Sequence, residues 1–353
     1  MTAPDRILAE DLSGILAAEV PWKALYGSQI LVTGASGFIG GHIVEALAWL
    51  NRCHPNAGLR IHALARNLEK LKQRLPWLSI PGEVTPVIQD VASPLHAITP
   101  INFIIHAASP ASPKHYLQKP VETIRANTDG TRLLLDLAKE QQASLLFLSS
   151  GAVYGATPAL EDPIRETDFG SEDPLSPRAC YSESKRLAET LCRAYHTQFG
   201  VDARIARISH CYGPGMRLDD GRAIADIMAD ILSKRGIRLD SDGSSTRPFC
   251  YVSDTVRGLF HVLLRGCAGE AYNVGETQEI SILDLAKKMI TASGKQHQLT
   301  VNTQEQSAIA RPSRDCGHFN IEKIKAIGWA PSVALDTGLT RMLADRSVPQ
   351  PLQ

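Results

Sequence analysis

The segment Ile30-Leu-Val-Thr-Gly-Ala-Ser-Gly-Phe-Ile-Gly40 decides how this chain is read. It opens as a short apolar, β-branched run, the pattern of a buried strand, and then places glycines at 34, 37 and 40. In that spacing Gly34 permits a tight turn, Gly37 lets backbone approach a pyrophosphate, and Gly40 lets the following helix pack close to the strand. The N–H groups opening that helix would face the phosphates with the helix dipole assisting, so Ser36, Phe38 and Ile39 join the three glycines as candidates. A glycine triplet in isolation is equally consistent with an ordinary strand-turn-helix. Its place after a hydrophobic strand, early in a long alternating chain, selects the dinucleotide reading.

Working outward, strands are expected at 29–33, 60–65, 84–88, 103–106, 144–148 and 203–208. Helices are expected at about 38–50, 68–75, 120–141, 181–199 and 281–293. This β-α alternation predicts an α/β fold with a doubly wound parallel sheet of Rossmann type. Residues 28–213 would form the dinucleotide-binding domain. After Pro214 the elements shorten, and 214–345 reads as a smaller C-terminal substrate-binding lobe closing over the carboxyl ends of the strands. Residues 1–27 form an N-terminal extension with Leu8, Leu12, Ile15 and Leu16 on one side of a helix, expected to pack on the body without a part in the chemistry.

Bulk composition narrows the classes. Lys plus Arg and Asp plus Glu both number 37 in 353 residues, so no global basic field recruits nucleic acid. The seven cysteines include no C-x-x-C pair, which favours reduced thiols over a disulfide framework or a metal site. The early acids Asp5, Glu10 and Asp11 do not suit a signal peptide, and no window of 18 uninterrupted apolar residues suggests a membrane span. A cytoplasmic protein is expected.

Tyr181-Ser-Glu-Ser-Lys185 sets a tyrosine and a lysine four apart, on one helix face. A phenol titrates at about pH 10 and is a poor base at neutrality. A neighbouring ammonium, with a cationic nicotinamide ring close by, favours the phenolate. Ser150, at the end of the fifth strand, could hydrogen-bond the substrate oxygen whose proton the tyrosine takes. Each motif alone has a bland reading, as an exposed helical pair or a polar strand end.

Together the three motifs resemble the extended short-chain dehydrogenase/reductase family of nucleotide-sugar epimerases, dehydratases and decarboxylases. Gln89-Asp90-Val91, His106-Ala-Ala-Ser109, Asn127-x-x-Gly130-Thr131 and Tyr272-Asn-Val-Gly275 extend the likeness. The resemblance implies Tyr181 as general base, Lys185 on the nicotinamide ribose and Ser150 as hydroxyl partner. It adds Asp90, Val91, Ala107, Ala108, Ser109 and Asn127 to the cofactor set. Ala108-Ser-Pro-Ala-Ser-Pro113 with His115-Tyr116, Pro177-Arg-Ala-Cys-Tyr181, Asp220-Gly-Arg222 and Thr246-Arg247 through Tyr251-Val-Ser-Asp254 are most similar to UDP-glucuronate decarboxylases. By that likeness Pro110, Arg222, Arg247 and Arg311 are candidate substrate contacts, the arginines as guanidinium clamps for a diphosphate. His210 stands where relatives often place asparagine, and reads either as a substrate contact or as a core histidine.

The departures bear on the reaction. Decarboxylases of this type carry a glutamate two residues after the hydroxyl residue, where this chain has Ala152. The 4,6-dehydratases carry an Asp-Glu pair at the positions of Gly151 and Ala152. What remains suffices for hydride transfer at C4, and the expected activity is that of a nucleotide-sugar epimerase. The alternatives are a UDP-glucuronate decarboxylase, a 4-keto-deoxysugar nucleotide reductase and a non-catalytic dinucleotide-binding protein. NAD is the expected cofactor, with NADP open because Arg66, not an acid, follows the second strand. The substrate would be a nucleotide-diphosphate sugar, UDP-linked. The helix at 120–141 and the one starting at Tyr181 carry apolar stripes, including Leu133, Leu134, Leu137 and Leu187, Leu191, Ala194, of which one per helix must pack on the sheet. The family likeness implies that the outer faces of these helices make a homodimer.

Overall fold

The computed structural model describes residues 6–79, 84–95, 100–155, 163–294, 296–301 and 318–344. Strands β1 (Gln29–Thr33), β2 (Arg60–Ala65), β3 (Val84–Ile88), β4 (Phe103–His106), β5 (Ser144–Ser150) and β6 (Ala203–Ile208) lie in one sheet with β11 (Ala271–Val274). Their order is β3-β2-β1-β4-β5-β6-β11, and every pairing is parallel. The order turns back between β1 and β4, which opens a crevice at the carboxyl ends of those two strands.

Period-two alternation divides the apolar residues of β1 between two cores. Ile30 and Val32 join the cluster containing α1 (Arg6–Leu16), α2 (Phe38–Cys53) and α9 (Val252–Arg265). Leu31 joins the opposite cluster, with Leu134 and Leu135 of α6 (Asp129–Gln141) and Ala188 and Cys192 of α7 (Ala179–Phe199). Helix α3 (Leu68–Arg74) follows β2 and is capped by Asn67, whose Oδ1 accepts from Lys70 N at 2.9 Å.

The single helix expected over 120–141 is two. Helix α5 (Pro120–Asn127) stops at Thr128, with φ −100° and ψ −62°, before α6 begins. Thr128 Oγ1 donates to the Ile124 carbonyl at 2.8 Å, a back-bond that bends helices. A Cβ at Gly130 would lie 3.0 Å from Val91 Cγ1, so the start of α6 seats closely on the turn that follows β3. The C-terminal half also returns to the main sheet, because β11, from the Tyr272–Gly275 motif, pairs with β6.

Short strand pairs build the remainder. β7 (Cys211–Tyr212) runs parallel to β10 (Cys250–Tyr251), with Cys211 opposite Cys250 and Tyr212 opposite Tyr251. β9 (Thr246–Arg247) pairs with β12 (Ile280–Ser281), and β8 (Ile237–Leu239) with β13 (Leu299–Val301). Helices α4 (Pro113–Gln118), α8 (Ala223–Leu232), α10 (Ile282–Ser293), α11 (Glu322–Lys325) and α12 (Leu335–Ala344) complete the described chain. Among the described residues no helix is long and apolar enough to cross a membrane.

Candidate active site

The glycine turn is built to close tolerances. Gly34 has φ +68°, and a Cβ there would meet Ala107 and Ala108 backbone at 2.7–2.8 Å. A Cβ on Gly40 would fall 2.3 Å from the Gly34 carbonyl oxygen, and one on Gly37 would fall 3.0 Å from it. The turn therefore packs on the backbone just past β4, and the start of α2 packs on the turn. No side chain caps α2 at Gly37, which leaves the opening of the helix to a ligand's oxygens. Thr33 Oγ1 accepts from Ala108 N–H at 3.1 Å and lies 2.8 Å from His106 Nδ1, fixing the two strand ends to each other. Burial and the nearby Lys185 push His106 down to about 3, so this imidazole is neutral.

Around the crevice, Ser109 Oγ and Asn127 Oδ1 are buried without a hydrogen-bond partner among the described residues. Asn127 Nδ2 donates to Ser184 Oγ at 2.9 Å, which ties α5 to α7. Orphaned polar atoms of this kind, beside a glycine turn whose helix start has no side-chain cap, fit a bound dinucleotide. Val91 is buried beneath α6, while Asp90 is exposed and its Oδ1 accepts from Ala92 N at 2.9 Å. Arg66 is exposed at the end of β2.

Helix α7 presents the tyrosine and lysine from one face. Lys185 is 3% exposed, and its Nζ donates to the Leu148 carbonyl at 2.6 Å above the Phe147 ring. Burial pushes this ammonium down to about 7, with Glu189 opposing the shift. Tyr181 is half-buried, and its ring stacks on Tyr116 of α4 with centroids 5.2 Å apart. Ser150 Oγ accepts from Ala152 N–H at 3.2 Å as it caps the turn Gly151–Tyr154. That bond uses an acceptor site and leaves the hydroxyl proton to be donated.

Among the described residues, the carboxylates of α7 and of the segment before α8 are committed. Both acids of α7 are paired, Glu183 with Arg186 at 2.9 Å and Glu189 with Arg207 at 2.7 Å. Ser149 Oγ also donates to Glu189 at 2.6 Å. Asp219 pairs with Arg217 at 2.7 Å and Asp220 with Arg222 at 2.5 Å. Positions 151 and 152 supply only glycine and alanine.

The candidate diphosphate contacts gather across β7, β9 and β10. Burial, with Arg247 and Arg222, drives His210 down to about 3, and its ring centroid lies 5.9 Å from that of Phe249. Arg222 is engaged by Asp220 and by the Cys211 carbonyl at 3.3 Å, and Arg247 donates to the Thr246 carbonyl at 2.6 Å. Pro110 is half-buried in the loop leading to α4, and Ser112 Oγ of that loop donates to the Asp220 carbonyl at 2.5 Å. Arg311 lies outside the described residues. Sequence reasoning gave no role to Thr33, Ser184 or Tyr116, although Tyr116 stood inside a quoted motif; its pairing with Tyr181 needs the fold to be seen.

The profile of the NAD dependent epimerase/dehydratase family matches residues 30–275. UDP-glucuronic acid decarboxylase 6 of Arabidopsis thaliana is 36% identical over 320 residues, covering 90% of this chain and 88% of that protein. UDP-glucuronic acid decarboxylase 1 of Danio rerio is 35% identical over 318 residues, covering 89% and 72%. Among solved structures, UDP-glucuronic acid 4-epimerase from Bacillus cereus in complex with NAD has a TM-score of 0.72 at 25% identity, covering 89% of this chain and 95% of that one. A dTDP-glucose 4,6-dehydratase from Bacillus anthracis in complex with NAD shares the fold at a TM-score of 0.74 and 23% identity, covering 90% and 96%.

Proposed function

The chain belongs to the NAD-dependent epimerase/dehydratase family, and on that premise we propose that it acts on a nucleotide-diphosphate sugar by transient oxidation at C4, with 4-epimerisation as the net reaction. NAD, when bound, supplies the hydride acceptor and returns the hydride. Gly34, Gly37 and Gly40 would hold its pyrophosphate, and Asn127 and Ser109 offer the polar atoms left over in the crevice. Tyr181 takes the C4 hydroxyl proton, Ser150 donates to the same oxygen, and the Lys185 ammonium favours the phenolate.

One observation carries the choice of reaction. The turn after Ser150 offers Gly151 and Ala152, and the acids flanking Tyr181 on α7 and before α8 are held by arginines. Loss of CO₂ or of water wants a general acid or base at the neighbouring carbon, whereas hydride exchange at C4 does not. The 36% identity to UDP-glucuronic acid decarboxylases favours decarboxylation as the second reading, since a 4-keto hexuronate is already a β-keto acid. A 4-keto-sugar reductase is the third, favoured by the exposed Arg66 where a 2′-phosphate would sit.

Incubation with NAD and UDP-glucose or UDP-glucuronate, followed by NMR and mass spectrometry of the products, separates these readings. Inversion at C4 with any carboxylate retained is expected. Stoichiometric CO₂ with a pentose nucleotide would establish the second reading, and net consumption of NADPH on a 4-keto sugar nucleotide the third.

The working assembly is a homodimer. Leu117, Val121, Ile124 and Leu187 are 41–63% exposed on α4, α5 and α7, and α5 packs along α7, so these four supply apolar surface for a second copy.

A further inference from the structure

Helix α1 precedes the stretch that the family profile matches, and its sequence suggests only packing. Leu12 and Ile15 do enter the core beside α2 and α9. Asp11 is buried as well, at 4% exposure. A carboxylate in that setting is costly unless it is paired and hydrogen-bonded. Tyr251 Oη donates to Asp11 Oδ2 at 2.7 Å, and Arg341 Nη1 donates to Oδ1 at 2.5 Å. Arg341 also reaches Glu10 at 3.3 Å. One side chain of α1 thus joins β10 to α12, two elements of the C-terminal lobe.

β10 leads back to the candidate diphosphate contacts. Tyr251 ends the run Arg247-Pro-Phe-Cys-Tyr251, and Cys250 N donates to the His210 carbonyl at 3.0 Å. Tyr251 and Tyr212 are register partners whose rings meet edge-on, with centroids 5.6 Å apart. The contact with α12 has no slack, because a Cβ on Gly338 would lie 2.1 Å from Tyr212 Oη and 2.8 Å from Tyr251 Cδ2. Packed elements of this kind shift as units.

We propose that Asp11 is a positioning residue for nucleotide binding: through Tyr251 and Arg341 it fixes the β7–β10 ladder, and with it His210 and Arg247, at the diphosphate end of the substrate site. The inference rests on the nucleotide-sugar reading. It assigns the Asp11 carboxylate a part in substrate affinity and none in cofactor affinity, since the two side chains that bond it, Tyr251 of β10 and Arg341 of α12, both belong to the C-terminal lobe. Burial pushes the Asp11 carboxyl up while Tyr251 and Arg341 oppose it, so its ionisation depends on these same two partners.

The test is calorimetric titration of the full chain with UDP, with dTDP and with NAD. Asp11→Asn keeps an acceptor for Tyr251 but loses the charge facing Arg341; Tyr251→Phe removes the donor with little change of shape. Each is expected to weaken nucleotide binding about fivefold or more while NAD affinity holds, the range of coupling between linked sites. The double variant should lose less than the sum of the singles. Nucleotide affinity unchanged in both singles, parallel loss of NAD affinity, or strict additivity would each overturn the proposal. If the parent protein binds NAD but neither UDP nor dTDP, the nucleotide-sugar reading itself fails, and this inference falls with it.

Discussion

The rings of Tyr116 and Tyr181 lie face to face, 11° from parallel, with Cys180 Sγ donating to the Tyr116 carbonyl at 3.6 Å. The stack holds the candidate base by its ring. Tyr181→Phe preserves the stacked ring, so fold and NAD affinity should survive. Turnover should drop by roughly 10²–10⁴, the contribution of a positioned general base. Steady-state kinetics with an NAD titration reads both, and near-parental kcat would remove Tyr181 from the mechanism.

Lys185 should link activity to pH. Its folded pKa is about 7 against the usual 10.5, so it is depressed on folding. Between those values the unfolded chain binds a proton that the folded chain does not, and stability therefore rises with pH across that window. The penalty is fully present below about pH 7, on the order of 5 kcal/mol. Lys185→Met should flatten the slope of stability against pH from 7 to 10.5 in the cofactor-free protein, measured by denaturant titration at several pH values. Activity should run the other way, falling as pH rises through the Lys185 pKa and the ammonium beside Tyr181 is lost.

Gly34→Ala should abolish NAD binding. It combines a φ of +68° with a clash at 2.7 Å against Ala107 backbone, and the neighbour is main chain that cannot swing away. The strained φ costs about 1–3 kcal/mol before the clash is counted. A lower Tm together with lost NAD affinity is expected, and an alanine variant that binds NAD normally would show that the turn has room.

Arg66 should set cofactor preference. If its guanidinium meets a 2′-phosphate, Arg66→Ala weakens NADP binding far more than NAD binding. Equal losses would mean that it stacks on adenine, leaving NAD as the working cofactor.

The exposed apolar face on α5 and α7 should be covered by a second copy. Leu187→Glu, at 50% exposure and away from the candidate site, is expected to give monomers by light scattering where the parent chain gives dimers. A parental monomer at micromolar concentration would rule this interface out.

Much of this was legible because it is local. Ile30–Gly40 announces its strand, turn and helix through spacing alone, and Tyr181 and Lys185 share a face through helical geometry. The break at Thr128 was not legible, since the apolar period runs on through it, and Gly130 just beyond it meets Val91 from the turn after β3. Nor was the engagement of Arg222, because an arginine two residues after an aspartate reads as a free clamp until the bidentate pair with Asp220 is seen. Asp11 read as a mark against a signal peptide, and its partners stand 240 and 330 residues away.

The facing cysteines of β7 and β10 give the molecule a clock. Cys53 and Cys267 are exposed, whereas Cys192, Cys211 and Cys250 are buried, and burial pushes the Cys211 thiol up to about 12. Alkylating reagents attack thiolates, so the buried group stays silent until its surroundings open. Timed alkylation with peptide mapping would then date two events separately: Cys211 and Cys250 record the parting of the small ladder, and Cys192 the lifting of α7 from the sheet.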